Sequence, residues 1–304
     1  MARPAAQAPG LPPPMLAALR RRTFDEVCMV AVPCGLACFW WSEFQPSAEM
    51  RSAQRAAGCK YHPSADLIGP HVATELARRG IVELKGALTF QELAAARRDL
   101  AALVEIPGNF GATGNAADVR QDAVVWLQPR RPNYVGAGGH DRSFSGAGLE
   151  HCVRLLRGVA HALEEIDTDN TGRLHVVPLE CQLSAFRGDK LAGYRAHRDT
   201  APSGWPAVLE LGLLGFLRSR DCRRRAVTAI LYLNDSQWES GGELACFIGA
   251  DASDTKGNTA QEVRRVVPRG GTLLLFDSTT LLHAVEPSRQ DRYALTCWVW
   301  DDAK

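Results

Sequence analysis

The chain has 304 residues, of which 46% are hydrophobic and 23% are charged, an ordinary balance for a globular protein with a sizeable core. The net charge of +1 excludes a global attraction to nucleic acid or to an anionic membrane surface, so no nucleic-acid partner is predicted. Nine cysteines without regular spacing argue against a disulfide framework and favour a reducing compartment, which predicts a cytoplasmic location.

Residues 1–70 are predicted to form an N-terminal extension that is partly disordered or serves in targeting. It begins with a stretch rich in Ala, Pro and Arg, followed by an apolar run at residues 27–41. Pro33 and Gly35 interrupt this run, which is shorter than the roughly 20 residues that a membrane helix needs. A signal or anchor core, an organellar transit sequence and a segment packed on the domain all stay open. An organellar or secretory location through residues 1–41 is therefore the alternative to the cytoplasm.

From residue 71 the chain shows clear helical patterns. The segments "HVATELARRG", "TFQELAAARRDLAALV" and "LEHCVRLLRGVAHALEEI" are predicted helices; Gly80 ends the first and Thr89 is the N-cap of the second. A strand-like run, "IVELKGAL", lies between the first two. The glycine-rich stretch "NYVGAGGHDRSFSGAG" is read as a loop, because it lacks the G-x-G-x-x-G spacing of a dinucleotide site.

After residue 174 the chain becomes rich in short β-type runs separated by turn signals such as "ESGG" and "PRGG". Many short strands after a helical beginning predict an α+β fold, a double-stranded β-helix (jelly roll) with the N-terminal helices packed outside. The domain is predicted to span residues 71–304, with the jelly-roll core at about 174–304. Residues 201–225 read as an insertion, and no stable membrane span is expected in this domain.

The stretch "GYRAHRD" carries the first candidate site. If residues 194–199 are extended, His197 and Asp199 point to the same face, because side chains alternate along a strand. His283, between two later strand-like runs, is the candidate third ligand. Two histidines and a carboxylate form the facial triad of non-haem Fe(II) oxygenases, but zinc hydrolases use the same donors.

Arg292 separates these alternatives. It follows His283 by nine residues on the next predicted strand, where a buried guanidinium would bind a carboxylate in bidentate fashion. Arg289 is a weaker candidate because it falls in the predicted turn. Asp277, in the strand before His283, is expected to support the site or the fold rather than to bind metal.

The pattern of H-x-D, a later His and an Arg nine residues on resembles the 2-oxoglutarate/Fe(II)-dependent dioxygenases. Within the prolyl 4-hydroxylase superfamily, the chain is most similar to prolyl hydroxylases of the hypoxia-sensing type. The similarity rests on "VRQDAVVWL", "GYRAHRD", "TAILYLN", "GGEL" and above all "HAVEPSRQDRYALTCWVWD", and covers roughly residues 75–304.

The resemblance implies that Fe(II) binds His197, Asp199 and His283, and that Arg292 pairs with the distal carboxylate of 2-oxoglutarate; these four residues form the predicted catalytic set. It also implies O₂ as a reactant, succinate and CO₂ as products, ascorbate as a reductant, and a prolyl residue of a protein or peptide as the hydroxylated group.

Tyr194 and Thr296 are predicted to line the 2-oxoglutarate site, the alternative for each being an ordinary packing role in a strand. The family often has a tyrosine that helps to hold the distal carboxylate where this chain has Leu231, and another near the position of Phe186. These differences and the insertion leave the substrate open. The same chemistry on a non-prolyl or small-molecule substrate, and a catalytically inactive jelly-roll binding module, stay as alternatives.

Overall fold

The computed structural model describes residues 67–112, 119–127, 134–135, 141–142, 146–166, 174–176, 181–200 and 225–301. The apolar run at residues 27–41, nearly all of the predicted extension and residues 201–224 of the predicted insertion lie outside the described residues. None of the helices within the described part has the length and apolar character needed to cross a membrane.

The described residues contain three α-helices, one short 3₁₀ helix (Gly188–Lys190) and fourteen strands. The helices are α1 (Pro70–Arg79), α2 (Phe90–Val104) and α3 (Ala147–Ile166). The strands are β1 (Ile81–Leu84), β2 (Gly111–Ala112), β3 (Ala123–Leu127), β4 (Tyr134–Val135), β5 (Asp141–Arg142), β6 (Leu174–Val176), β7 (Cys181–Phe186), β8 (Tyr194–His197), β9 (Arg225–Tyr232), β10 (Leu244–Ile248), β11 (Glu262–Val266), β12 (Leu273–Asp277), β13 (Leu282–Val285) and β14 (Arg292–Asp301).

The strands form two main antiparallel sheets. The larger sheet has the order β1-β12-β9-β14-β7-β3-β2, with β6 paired to the end of β14, and the smaller sheet has the order β11-β10-β13-β8. The predicted jelly roll is confirmed. The short β4–β5 pair lies inside the stretch that the sequence indicated as a loop, so that prediction was incomplete.

The helix ends follow the predicted signals. Gly80 ends α1 with φ of 68°, a left-handed conformation that glycine adopts without steric penalty. Thr89 caps α2 in a capping box, in which its hydroxyl accepts from the Glu92 amide and the Glu92 carboxylate accepts from the Thr89 amide. These caps fix where the helices start and stop relative to the strands that follow.

Alternation along the strands of the larger sheet divides its side chains between two cores. In β9, Ala229 and Leu231 point into the cluster shared with the three helices, whereas Ile230 and Tyr232 point between the two sheets. The helices therefore cover the outer face of the larger sheet, as predicted. Its inner face is left to meet the smaller sheet and to line the space between them.

Candidate functional site

Three metal-binding side chains meet between the two sheets. His197 and His283 are direct cross-strand partners in the β8–β13 ladder, and Asp199 follows just beyond the end of β8. One donor atom from each of the three lies within 4.8 Å of the others. The Asp199 Oδ1 atom is 3.6 Å from Nε2 of His197 and 3.9 Å from Nε2 of His283. The structure thus brings the predicted triad together.

Both imidazole rings are held in the orientation that a metal ligand requires. Nδ1 of His197 lies 2.8 Å from the carbonyl oxygen of Arg195, and Nδ1 of His283 lies 3.2 Å from that of Leu281. A proton on Nδ1 donates to the carbonyl and leaves the Nε2 lone pair free to bind a metal. Burial, together with the neighbouring His197, lowers the pKa of His283 to about 4, so this imidazole is neutral near pH 7.

Asp199 is held by a buried hydroxyl pair. Thr228 donates to its Oδ2 atom at 2.6 Å and lies 2.7 Å from the hydroxyl of Ser278; both residues are fully buried. Burial opposes ionisation of Asp199, but the pKa is lowered because His197, His283 and Arg225 stabilise the carboxylate. The Oδ1 atom remains directed at the two histidines. The ionised carboxylate and the Nε2 atoms of the two imidazoles form a donor set that fits a divalent iron ion with open positions.

Arg292 forms the other end of the site. Its side chain is 1% exposed, and its Nε atom donates to the Gly242 carbonyl at 2.8 Å. Gly242 has φ of 74°, and a Cβ atom there would lie 3.0 Å from Cδ of Arg292, so glycine is required on both counts. The guanidinium carbon lies 5.0 Å from the ring centre of Phe186 and 5.1 Å from that of Tyr232. An arginine walled in by aromatic rings suits a carboxylate ligand.

Tyr232 adds a second polar group beside Arg292. Its hydroxyl is buried and makes no hydrogen bond within the described residues. Burial raises the pKa of Tyr232, so the hydroxyl stays protonated and can donate. A buried donor without a partner is costly in a folded protein. A carboxylate bound by Arg292 would satisfy it, so the pocket fits a dicarboxylate such as 2-oxoglutarate.

One pocket connects the triad to Arg292. Tyr194 and Thr296 both line it, and the Tyr194 ring stacks on His197 with ring centres 3.6 Å apart. The other lining residues come from both sheets and are Arg120, Gln182, Ser184, Phe186, His197, Asp199, Ile230, Leu244, His283, Val285, Arg292, Ala294 and Trp298.

Two expectations about the site need correction. β8 ends at His197, so Asp199 is not part of an extended strand; its place is set by side-chain and backbone bonds instead. Leu231, where a family tyrosine was expected, points into the helix-facing core and cannot reach the pocket. Tyr232 faces the pocket side instead, so the chain does carry a tyrosine next to Arg292.

The structure separates the remaining candidates. Arg289 is exposed in the turn before β14, whereas Arg292 is buried in the pocket. Asp277 accepts hydrogen bonds from the amides of Thr279 and Thr280 and so shapes the turn before β13. This is the structural role expected for it.

Sequence reasoning missed Thr228, Ser278, Tyr232 and Arg120. Arg120 donates to both carboxylate oxygens of Asp122 and, at 2.7 Å, to the Gln182 side chain, and its guanidinium lies 5.0 Å from the ring centre of Tyr194. The period-two alternation of β9 could have placed Thr228 and Tyr232 on one face. No local signal points to Ser278 or Arg120, because tertiary contacts alone bring them to the site.

Comparison with known proteins gives one family match. Residues 181–300 match the model of the 2OG-Fe(II) oxygenase superfamily, so this part of the chain is similar to that superfamily. The predicted resemblance to its prolyl hydroxylase-type members is confirmed. No curated protein sequence matches the chain significantly.

Solved structures share the fold at low sequence identity. A Trichoplax adhaerens prolyl hydroxylase, solved with a peptide of hypoxia inducible factor, aligns with a TM-score of 0.55 and 18% identity over 86% of this chain and 96% of its own. A Pseudomonas putida prolyl-4-hydroxylase gives a TM-score of 0.50 and 22% identity over 76% and 97% of the respective chains. A non-heme alpha-ketoglutarate dependent carbocyclase from nogalamycin biosynthesis gives 0.51 and 16% over 79% and 87%.

Proposed function

We propose that this protein is an Fe(II)- and 2-oxoglutarate-dependent dioxygenase that hydroxylates a prolyl residue in a protein or peptide. One observation carries the proposal. A two-histidine, one-carboxylate cluster and a buried arginine with no carboxylate partner among the described residues line the same pocket. A dicarboxylate co-substrate needs a buried cation to bind its distal carboxylate, so the place of this arginine in the same pocket as the triad favours the oxygenase over a zinc hydrolase.

In this proposal His197, Asp199 and His283 hold Fe(II), and Arg292 and Tyr232 bind the distal carboxylate of 2-oxoglutarate. When bound, iron and 2-oxoglutarate supply the oxidising chemistry, in which O₂ is consumed, 2-oxoglutarate becomes succinate and CO₂, and a C–H bond becomes C–OH. The protein contributes binding, orientation and the exclusion of water.

The chain's own residues set that orientation. Thr228 fixes Oδ2 of Asp199, which leaves Oδ1 for the metal. Tyr194 packs against His197 and restricts rotation of its ring. Thr296 lines the wall between Arg292 and the triad on β14, where its hydroxyl can contact the co-substrate. Ile230 and Leu244 provide the apolar wall that keeps water from the reacting atoms.

The prolyl substrate is supported by two solved prolyl hydroxylases with this fold, one of which holds a hypoxia inducible factor peptide. The carbocyclase with the same fold favours a second candidate, the same co-substrate chemistry on a small molecule, because a shared fold does not determine the substrate. Ascorbate as reductant and a cytoplasmic location stay predictions.

The test is incubation of the purified protein with Fe(II), 2-oxoglutarate and O₂ in the presence of proline-containing peptides. Mass spectrometry is expected to show a gain of one oxygen atom on a prolyl residue, with succinate formed in step. The His197→Ala variant serves as the inactive control. Succinate formation without modification of any peptide would refute the prolyl assignment and direct the search to small molecules. Metal binding without succinate would refute the dioxygenase.

A further inference from the structure

Arg198, the residue between His197 and Asp199, is bound in an unusual way. Its side chain does not line the pocket, and all five of its N–H groups donate to backbone carbonyl oxygens. Nε contacts Thr280 at 3.2 Å, Nη1 contacts Ala252 at 3.3 Å and Asp254 at 2.8 Å, and Nη2 contacts Ala250 at 3.4 Å and Asp251 at 2.7 Å. No donor is left to bind an anion or a substrate, so the role of this side chain is to hold the backbone around it.

Four of the five carbonyl groups that accept hydrogen bonds from Arg198 belong to one segment, residues 250–254, which has further hydrogen bonds of its own. Residues 250–254 follow β10, and the carboxylate of Asp254 accepts from the amides of Lys256, Gly257 and Thr259 and from the Thr259 hydroxyl, at 2.7 to 2.8 Å. The Thr259 hydroxyl in turn accepts from the amide of Asp251 at 2.9 Å. Asp254 is 8% exposed, and its carboxylate is satisfied within the loop, so the loop has hydrogen bonds of its own that do not involve Arg198.

The Arg198 side chain links the segment that carries Asp199 to the segment that leads to His283. The Nη atoms attach the β8 end to the loop at 250–254, and Nε attaches it to Thr280, three residues before His283. Asp199 lies outside β8, so no sheet ladder holds it. On its other side, the Thr200 amide donates to the Ser278 carbonyl at 3.0 Å. Arg198 and Thr200 therefore hold the backbone on either side of Asp199, while Thr228 donates to its carboxylate and Arg225 donates to its carbonyl oxygen at 3.2 Å.

We infer that Arg198 is a positioning residue that holds Asp199 and His283 at metal-binding separation. The inference rests on the proposed function and deepens it, since it names what makes the metal site rigid in this chain. Lysine can replace arginine here only in part, because an ammonium group has three donors and no planar fork, whereas five carbonyl groups converge on the guanidinium.

The test is titration of the metal-free protein with Mn²⁺, a redox-stable probe, followed by calorimetry. The Arg198→Met variant is expected to raise the Kd for Mn²⁺ by about 10- to 100-fold, the range seen when groups that orient metal ligands are removed. Arg198→Lys is expected to recover part of this loss. Arg265→Met is the matched control, since Arg265 is an exposed arginine that pairs with Glu286 away from the metal site, and its Kd is expected to equal that of the wild type.

A second variant tests the same contact from the loop that accepts the Arg198 hydrogen bonds. Asp254→Ala removes the centre of the loop and is expected to raise the Kd for Mn²⁺ in the same direction. Adding Arg198→Met to it is expected to cost less than the sum of the two single changes, because both act on one contact. Thermal unfolding of each metal-free variant shows whether it is folded before titration.

The outcomes are distinguishable. A folded Arg198→Met protein that binds Mn²⁺ with the wild-type Kd would overturn the inference and leave the proposed function standing. If Arg198→Met does not fold, a wild-type Kd in both Arg198→Lys and Asp254→Ala would overturn it equally. A wild-type protein that binds no Mn²⁺ would overturn the proposed function and the inference together.

Discussion

At the scale of single residues, some residues of the site can be predicted from the sequence and others cannot. His197, Asp199, His283 and Arg292 are recognisable because their spacing and residue types are specific to one chemistry. Tyr232 is not, because β9 is buried on both faces from Val227 onward and shows no polar alternation that would tell inward from outward positions. An alignment that is shifted by one residue then places a side chain on the opposite face of the strand. The expected position of the family tyrosine was shifted in this way, to Leu231 instead of Tyr232.

Tyr232 provides a direct test of that correction. Replacing Tyr232 with Phe removes a hydroxyl that has no partner of its own and is placed to bond a carboxylate held by Arg292. A hydrogen bond to a charged group is worth about 1.5 kcal/mol, so the KM for 2-oxoglutarate is expected to rise by about tenfold with little change in kcat. Steady-state kinetics with varied 2-oxoglutarate measure both parameters.

Tyr293→Phe is the matched control, since the Tyr293 hydroxyl bonds Asp291 outside the pocket. An unchanged KM in Tyr232→Phe, or an equal rise in Tyr293→Phe, would contradict the place given to Tyr232.

At the scale of elements, local signals were sufficient for the helices and insufficient for strand pairing. The end of α1 follows from Gly80 and the start of α2 follows from Thr89 and Glu92. The pairing of β8 with β13 joins residues far apart in the chain, and nothing within either strand specifies the register that sets His197 opposite His283. The pair was predicted to meet only because the metal chemistry demanded it.

The capping box of α2 gives a prediction at this scale. Thr89→Ala removes the hydroxyl that bonds the Glu92 amide and is expected to lower the free energy of unfolding by about 1 kcal/mol. Because α2 packs on the outer face of the larger sheet, the KM for 2-oxoglutarate is expected to stay at the wild-type value. Denaturant unfolding measures the first effect and steady-state kinetics the second. A change in KM without a change in the free energy of unfolding would contradict the purely structural role given to Thr89.

At the scale of the whole molecule, the sequence predicted the architecture because helices precede a long series of short strands. It could not predict the substrate, since that depends on surfaces around the pocket rather than on the triad. His197 and His283 lie on the smaller sheet and Asp199 follows its strand β8, while Thr228 on the larger sheet and Ser278 in the turn after β12 support Asp199. Metal binding is therefore expected to stabilise both sheets together.

Metal binding provides the prediction at this scale. Mn²⁺ at 100 times its Kd is expected to raise the free energy of unfolding by about 2.7 kcal/mol, because it binds the folded chain alone. Asp199→Ala, which lacks the carboxylate ligand, is expected to gain little at the same Mn²⁺ concentration. Denaturant unfolding with and without the metal measures both values. An equal gain in the two proteins would show that Mn²⁺ binds elsewhere.

The most direct test of the central claim is succinate release from 2-oxoglutarate by the Fe(II)-loaded protein when O₂ is admitted. The wild type is expected to form succinate and to consume 2-oxoglutarate in equal amounts, whereas Asp199→Ala and Arg292→Met are expected to form almost none. Wild-type protein that retains Fe(II) and binds 2-oxoglutarate but releases no succinate would contradict the dioxygenase and leave a metal-binding jelly roll with another function.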